Sequence, residues 1–325
     1  MTNTLTPPQT DVVGPAADPR PPRKKMSSDR RKWLEIAIFA GPGLVIFLSF
    51  VILPVVLAAV YSLYNWNGLT PLERFIGLDN YVRALTDDAF LTAIGNNFTI
   101  LIASLLVQGP LAIAVALLLN RRLRGRAAIR ALIFVPYVLA EVIAGLSWKL
   151  LLSPRGGVNA LLEAIGLGEL QQPWLANPDI ALWVMFSILT WKYLGFAILL
   201  MLAGLQGVPE ELTEAASIDG ASWWQIQWRI TLPLLGPTIR IWAFLSIIGS
   251  LQLFDLVWIM TGGGPANATS TMATYMINFG FTRSQYGYGS AVAVILFIIS
   301  FAIAIVYQRF VLRRDTEGAL TEGKK

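Results

Sequence analysis

Cysteine and histidine are both absent from this sequence, and only 14% of its 325 residues are charged. The lack of cysteine excludes disulfide bonds and thiolate metal sites. The lack of histidine excludes zinc sites built on imidazole, Ser–His catalysis and histidine proton relays. We therefore expect neither a metal nor a cofactor, and no hydrolytic activity in this chain itself. Because a soluble domain carries about 25% charged residues, the scarcity of charge also points to a solvent other than water.

Long apolar runs are what the sequence has instead, with 55% apolar residues overall. Six runs are near or above the ~20 residues that cross a bilayer as a helix. We predict an all-α membrane protein, a bundle of six transmembrane helices. The first run contains Gly41, Pro42, Gly43 and Pro54, so it is expected to bend or to begin at the membrane interface. The predicted spans are about 33–64, 92–119, 127–152, 180–205, 237–260 and 288–312.

The basic residues are distributed unevenly between the two sides of this predicted bundle. Nineteen Lys and Arg residues fall before span one or after spans two, four and six. Only four, Arg74, Arg83, Arg155 and Arg283, fall in the alternate loops. By the positive-inside rule, both termini of this multi-pass protein are expected in the cytoplasm. The net charge of +5 also suggests nucleic-acid binding as an alternative function. Basic blocks that flank apolar spans instead favour a membrane protein with no nucleic-acid partner.

The two ends of the chain are predicted to lie outside the bundle. Residues 1–32 are rich in Pro, Thr, Asp and Ala and are expected to be a disordered cytoplasmic tail. A cleaved signal peptide is not expected, because the first apolar run is too long and is interrupted by Pro and Gly. The membrane domain is expected at 33–312, followed by a cytoplasmic tail at 313–325. That tail imitates a phosphate-binding loop from Gly318 to Lys325, but it lacks the final Ser or Thr and follows no strand.

The loop at 206–234, between predicted spans four and five, carries the clearest local signals. Pro209, Glu210 and Glu211 predict a helix start, since Pro suits the first turn and acids favour the positive helix end. Gly220 is expected to end that helix. A second amphipathic stretch runs from Trp223 to Pro233, so we predict a helix–turn–helix, here called the hairpin.

Periodicity alone leaves two interpretations of this hairpin open. The first is an ordinary amphipathic loop that lies at the membrane interface. The second is a docking surface, because the small residues Ala215, Ala216 and Gly220 permit close approach and Glu214 and Asp219 can pair with basic groups.

The residues of the hairpin also resemble a known motif. Glu214-Ala215-Ala216, then three residues, Gly220, nine residues and Ile230 to Pro233 match the EAA motif of bacterial ABC importer permeases. Fixed identities spread over about 20 residues are more specific than a lone glycine pattern. In that family the loop is a coupling helix that docks on a cytoplasmic ATPase, with its return arm setting the angle of re-entry into the bundle. The resemblance implies that the ATPase-contacting surface comprises Leu212, Glu214, Ala215, Ala216, Asp219 and Gly220.

Three further segments resemble the sugar and glycerol-phosphate branch of the same family: Ile76–Tyr81, Phe134–Tyr137 and Gly262–Pro265. The resemblance covers roughly residues 34–312. Gly262–Pro265 resembles the larger maltose-type subunit, whereas the short form with six spans resembles the glycerol-phosphate and oligosaccharide branch. The resemblance implies the type I ABC importer permease fold in a bacterial cell membrane, and a non-catalytic subunit surrounded by membrane lipid. The expected partners are a second permease, a cytoplasmic ATPase dimer and an extracytoplasmic solute-binding protein. The expected substrate is a sugar or oligosaccharide, with a glycerol-phosphate-type solute as an alternative.

Beyond the four residues at the cytoplasmic end of each predicted span, four charged residues fall inside the spans, namely Glu141, Lys149, Lys192 and Asp255. A charge at mid-bilayer costs at least about 2.5–3.5 kcal/mol, so such residues face a pore or a partner. Lys149, near the end of a span, is expected to extend toward the interface. For Glu141 and Lys192, a structural pair between helices and pore lining remain equal alternatives.

The resemblance also implies a substrate pathway midway across the membrane. The matching positions are Tyr193, Phe196, Gly249, Ser250 and Leu253, with Lys192, Gln252 and Asp255 as neighbours. Aromatic faces stack on sugar rings, and Ser, Gln and Asp hydrogen-bond hydroxyls. Plain helix packing by the two aromatics is an equal alternative. The run Ser250–Leu253 departs from the Asn-rich family pattern, which leaves the particular sugar unassigned.

Two other classes of protein compete with this interpretation. An ion-coupled secondary transporter would use several carboxylates or histidines within its spans and an internal repeat of half the chain. Only Glu141 and Asp255 are available, and no such repeat is evident. A membrane enzyme or scaffold would need a clustered nucleophile, base or metal site, which the sequence does not suggest.

Overall fold

The computed structural model describes residues 28–121 and 124–312. The described residues form helices and loops, and their only β pairing is an isolated bridge between Tyr64 and Phe75. The predicted C-terminal tail and nearly all of the N-terminal tail lie outside the described residues. Within residues 28–121 and 124–312, five helices are long and apolar enough to cross a membrane: Glu35–Tyr61, Asp88–Leu119, Pro178–Leu205, Gly236–Met260 and Tyr286–Leu312.

Residues 28–54 contain helix α1 (Ser28–Phe47) and a π turn at Leu48–Ile52. The large apolar side chains from Ile36 to Leu53 are exposed, with Phe39 at 86%. A helix that is apolar all round requires lipid or protein against every face. Helix α2 (Leu53–Tyr61) then completes the first crossing segment.

Three of the π turns lie just before a proline. They are Leu48–Ile52 before Pro54, Ser104–Gln108 before Pro110, and Gln227–Thr231 before Pro233. A proline has no backbone proton to donate, and its ring clashes with the carbonyl four residues earlier. A wider turn relieves that clash, so each helix continues through its proline.

The second crossing segment follows a short helix, α3 (Asp79–Thr86). Helix α4 (Asp88–Ala103) is capped by the preceding Asp87, whose side chain accepts hydrogen bonds from the amides of Ala89 and Phe90. After the π turn, α5 (Gly109–Leu119) reaches the end of the segment. The predicted second span is therefore confirmed and begins one turn earlier.

The third predicted span is broken, which corrects the expectation of one continuous helix. Helices α6 (Arg126–Val138) and α7 (Glu141–Leu151) meet at a 94° bend. Leu139 and Ala140 are extended between them, with ψ angles of 138° and 141°. The carbonyls freed by this bend need partners from elsewhere in the fold.

The remaining helices are bounded as follows. Helix α8 (Gly157–Ala164) lies in the loop before the fourth span, α9 (Pro178–Leu205). The hairpin holds α10 (Glu210–Ile218), α11 (Trp223–Ile226) and α12 (Leu232–Leu234). The fifth span holds α13 (Gly236–Leu251) and α14 (Asp255–Met260), α15 (Met272–Met276) follows, and the sixth span is α16 (Tyr286–Tyr307) with a closing π turn.

Helix α9 is central to the core of residues 55–312. Its first half packs with α4, α7 and α14 through Met185 and Leu189, and its second half packs with α5 and α13 through Met201. Gly195 lets α6 approach closely, because a Cβ there would lie 2.3 Å from the carbonyl oxygen of Ile133. A third cluster joins α3, α4, α13, α15 and α16.

The loop after α14 contains the turn that its glycines predict. Gly262 and Gly263 have φ angles of 61° and 95°, which side chains other than glycine rarely adopt. The peptide bond between Gly264 and Pro265 is cis. Asn96 of α4 donates from its amide to the carbonyl of Ser270 at 2.9 Å, which ties this loop to the second span.

Candidate functional site

The first arm of the hairpin forms as its local sequence predicts. Helix α10 begins at Glu210 after Pro209, whose backbone is extended, and ends before Asp219. Gly220 follows with a φ of 81°, in the left-handed region. A Cβ at Gly220 would meet no other atom within 4 Å in the described part of the chain. The glycine is therefore needed for the turn itself and leaves open space in front of it.

The second arm begins with a reciprocal cap. The Ser222 hydroxyl accepts from the amide of Gln225, and the Gln225 side chain accepts from the amide of Ser222 at 2.7 Å. Helix α11, the π turn and α12 then return the chain to α13. Ile226 and Thr231 are buried along this arm, so it packs on the bundle, whereas no residue of α10 is buried.

Every predicted docking residue lies on the surface of the chain. No residue of α10 is buried. Ala216 is half-buried, and Leu212, Glu214, Ala215, Asp219 and Gly220 are exposed. Ile218 is 87% exposed, an apolar side chain on this surface that the predicted set omitted. The sequence indicates this position, because Ile218 lies three residues after Ala215 and therefore on the same face of the helix.

A second feature, here called the central cavity, lies between α4, the π turn after it, α6, α9 and α13. Its volume is about 350 Å³. Five of the predicted pathway residues line it: Tyr193, Phe196, Gly249, Ser250 and Leu253. The lining residues that the sequence analysis did not select are Ile100, Ser104, Gln108, Tyr137, Phe186, Leu189, Thr190, Trp242, Leu245 and Ser246.

One wall of the central cavity is aromatic. The rings of Tyr137 and Phe196 are stacked, with centroids 5.0 Å apart and planes 19° apart. Tyr193 meets Tyr137 edge-on, with centroids 6.4 Å apart. Such a wall offers flat faces to the apolar side of a ring-shaped ligand.

The cavity also has a polar cluster. The Ser104 hydroxyl lies 2.6 Å from Oε1 of Gln108 and 2.8 Å from the hydroxyl of Ser246. The hydroxyl of Thr190 is buried and has no hydrogen-bond partner among the described residues. Hydroxyl and amide groups can donate and accept, so the cavity suits a ligand with several hydroxyls. The sequence indicates this polar patch, because Ser104 and Gln108 are four residues apart in an apolar span and so lie on one face of the helix.

Three predicted pathway residues lie outside the cavity lining. Gln252 and Asp255 are exposed, on either side of the break between α13 and α14. Lys192 is only 1% exposed and points to the bend between α6 and α7 instead. Its Nζ donates to the carbonyls of Leu139 at 2.6 Å and Pro136 at 3.3 Å.

Glu141 completes the cluster around Lys192. Its Oε1 lies 3.5 Å from Nζ of Lys192 and accepts a hydrogen bond of 2.9 Å from the hydroxyl of Tyr193. Its Oε2 is buried and has no partner among the described residues. The structure therefore shows a pair between helices for Lys192 and Glu141, and links that pair to the cavity through Tyr193.

The break in the fifth span is held by side chains from two other elements. Asn97, fully buried on α4, donates to the carbonyls of Ser250 at 2.6 Å and Leu251 at 3.3 Å. Thr271 donates to the carbonyl of Leu253 at 2.7 Å. These bonds replace helical partners and set Ser250 and Leu253 in the cavity wall.

Lys149 is exposed near the end of α7, and its Nζ donates to the carbonyl of Ile259 at 3.2 Å. Within residues 28–121 and 124–312, no group of three or more acidic side chains is arranged to hold a metal ion.

Residues 108–315, more than half of the chain, match the family described as binding-protein-dependent transport system inner membrane component. This match contains the hairpin and most of the cavity lining. The chain belongs to that family, whose members are permease subunits of ABC transporters embedded in the membrane.

The alignments with two curated relatives extend over nearly the full length of each relative. The trehalose/maltose transport system permease protein MalF of Thermococcus litoralis is 34% identical over 82% of this chain and 90% of its own. The diacetylchitobiose uptake system permease protein NgcF of Streptomyces coelicolor is 32% identical over 94% of this chain and 89% of its own.

A solved structure shares the fold. A chain of the bacterial alginate ABC transporter, crystallised in complex with alginate pentasaccharide-bound periplasmic protein, superimposes with a TM-score of 0.76. It is 26% identical and covers 87% of this chain and 96% of its own. The chain therefore has the type I ABC importer permease fold, which confirms the fold and family that the EAA motif implied.

Proposed function

We propose that this chain is a permease subunit of an ABC importer and forms, with a second permease, a membrane pathway for a sugar or oligosaccharide. The central cavity is the main support for this substrate class, because an aromatic wall and a cluster of hydroxyl and amide groups line the same cavity. Relatives named for trehalose, maltose and diacetylchitobiose support the same class.

The proposed pathway follows the cavity. Tyr193 and Phe196 present the aromatic faces, and Gly249, Ser250 and Leu253 line the cavity from the fifth span together with Ser246. In this proposal Lys192 acts on the pathway through the bend that it holds. Gln252 and Asp255 lie at the interrupted part of α13–α14, where a shift of the fifth span would bring them toward the pathway.

ATP hydrolysis is proposed to occur on a separate cytoplasmic ATPase dimer that grips α10. Its exposed face combines apolar Leu212 and Ile218 with acidic Glu214 and Asp219. Apolar groups supply contact area, and the two carboxylates favour basic groups on the partner. Closure of the ATPase dimer would move the hairpin and switch the bundle between inward-facing and outward-facing states.

The proposed orientation places the hairpin and both termini in the cytoplasm. The excess of Lys and Arg on that side supports it. The proposed organisation is a permease domain at 33–312, with the coupling loop at 206–234 and cytoplasmic tails at 1–32 and 313–325. An extracytoplasmic solute-binding protein would dock on the opposite face, where α3, α8 and α15 lie in the loops.

The test is uptake of labelled sugars by proteoliposomes that contain this chain, its neighbouring permease, ATPase and binding protein. We expect uptake only with internal ATP and with the binding protein. Uptake that persists without the ATPase and responds to an ion gradient would instead support the ion-coupled secondary transporter.

A further inference from the structure

A groove of about 640 Å³ lies between the end of α5 and the return arm of the hairpin. Its walls are almost wholly apolar. On one side they comprise Ile113, Leu117 and Leu118 of α5, and on the other Trp223, Trp224 and Trp228 of the hairpin. Trp224 and Trp228 are 65% and 67% exposed, so the groove is open along its length.

The depth of the groove decides what can fill it. Its α5 wall belongs to the crossing segment Asp88–Leu119, and Ile239 in its lining belongs to Gly236–Met260. Because both segments are long and apolar enough to cross a membrane, we infer that these residues face the hydrocarbon, where lipid chains take the place of water. Tryptophans are enriched where hydrocarbon meets headgroups, which places the hairpin wall at that boundary.

Among the described residues that line the groove, Arg121, just after the end of α5, is the basic one. The guanidinium carbon of Arg121 lies 4.4 Å from the ring centroid of Trp223. Arg121 is exposed and forms no salt bridge with any residue of 28–121 or 124–312. A guanidinium stacked on an aromatic face keeps its N–H edges free for a phosphate.

We propose that this groove binds one anionic phospholipid, with an acyl chain along α5 and the phosphate on Arg121. The charge of Arg121 selects an anionic headgroup, and the apolar walls select the chain. This site is separate from the sugar pathway. A lipid held there touches both the second span and the return arm of the hairpin, so it would brace the arm that α10 depends on.

The test is native mass spectrometry of the full-length chain, purified in detergent and titrated with phosphatidylglycerol or phosphatidylcholine of matched acyl chains. One basic side chain at a membrane surface predicts about a fivefold preference for phosphatidylglycerol. Arg121→Gln should remove that preference, and Arg121→Lys, which keeps the charge, should keep most of it. Arg155→Gln, an exposed arginine in the loop after α7, is the matched control and should bind as the wild type does.

A second variant tests the acyl chain separately. Ala114 lines the groove and is exposed, so Ala114→Phe should fill it and reduce retention of both lipids. An unchanged lipid ratio in Arg121→Gln, with the same elution volume as wild type, would overturn the headgroup assignment. Loss of association with the second permease in Ala114→Phe, with lipid retention unaltered, would identify the groove as a protein interface and also overturn the proposal. Both measurements are made on the purified permease and require no transport. Failure of the lipid proposal can therefore be distinguished from failure of the proposed sugar uptake.

Discussion

The Nζ of Lys192 lies 2.6 Å from the carbonyl oxygen of Leu139, 53 residues away along the chain. This bond caps the end of α6 at the 94° bend of the third span. Pro136 and Glu141 supply the other two acceptors of the same ammonium group. In the sequence, Tyr137 lies between Pro136 and Leu139, whose carbonyls Lys192 binds. We therefore expect the lysine to help orient the aromatic wall of the central cavity.

Lys192→Met should destabilise the fold strongly. The substitution leaves two carbonyls and the Glu141 carboxylate without their shared partner, and breaking one side of a buried pair costs about 3–5 kcal/mol. The apparent melting temperature in detergent, followed by fluorescence-detected size exclusion, measures the loss.

Lys149→Met is the matched control, because Lys149 is exposed and bonds one carbonyl. We expect its change to stay within about 1 kcal/mol. Adding Glu141→Gln to Lys192→Met should recover part of the stability. Equal melting temperatures for both lysine variants would contradict a capping role for Lys192.

Asn97→Leu should also destabilise the protein, by roughly 3 kcal/mol. It removes the donors to Ser250 and Leu251 and the acceptor for the amide of Met272, all buried. Asn120→Leu, at an exposed position at the end of α5, is the comparison and should be near neutral. A melting temperature for Asn97→Leu equal to that of the comparison would show that the break needs no side-chain support.

Gly220→Asp should leave the protein folded and abolish retention of the ATPase. The left-handed backbone makes any side chain there cost about 1 kcal/mol, and the new carboxylate occupies the space in front of the docking surface. Pull-down of the ATPase by the tagged permease measures the effect. Gly166→Asp tests the backbone strain alone, because Gly166 has a φ of 79° and equally open surroundings. If both variants retain the ATPase equally, the docking role of α10 is wrong.

Phe196→Ala should raise the half-saturating sugar concentration for uptake by about two- to twelvefold. It removes a ring stacked 5.0 Å from Tyr137 in the cavity wall, and an aromatic contact of this kind is worth about 0.5–1.5 kcal/mol. Phe301→Ala breaks a similar stacked pair, with Phe297 at 5.4 Å, on the exposed face of α16. Uptake kinetics should separate the two variants, and identical kinetics would remove Phe196 from the pathway.

The hairpin and the membrane spans were determined by neighbouring residues in the sequence. Pro209 begins α10, Gly220 ends it, and Gln225 lies three residues after Ser222, so each signal acts within one helical turn. Five spans were predicted to within a few residues, because hydrophobic length is a property of a continuous run.

The bend, the break and the cavity were decided only by the tertiary structure. Residues 127–152 read as one apolar helix, since nothing local reveals that Lys192 supplies the partners for a bent backbone. The break after Leu251 likewise depends on Asn97 and Thr271, which lie on other elements. In a membrane every freed carbonyl must find a donor within the protein. Apolar length and capping are therefore set by adjacent residues, whereas the shape of the cavity is set by donors that folding brings from far along the chain.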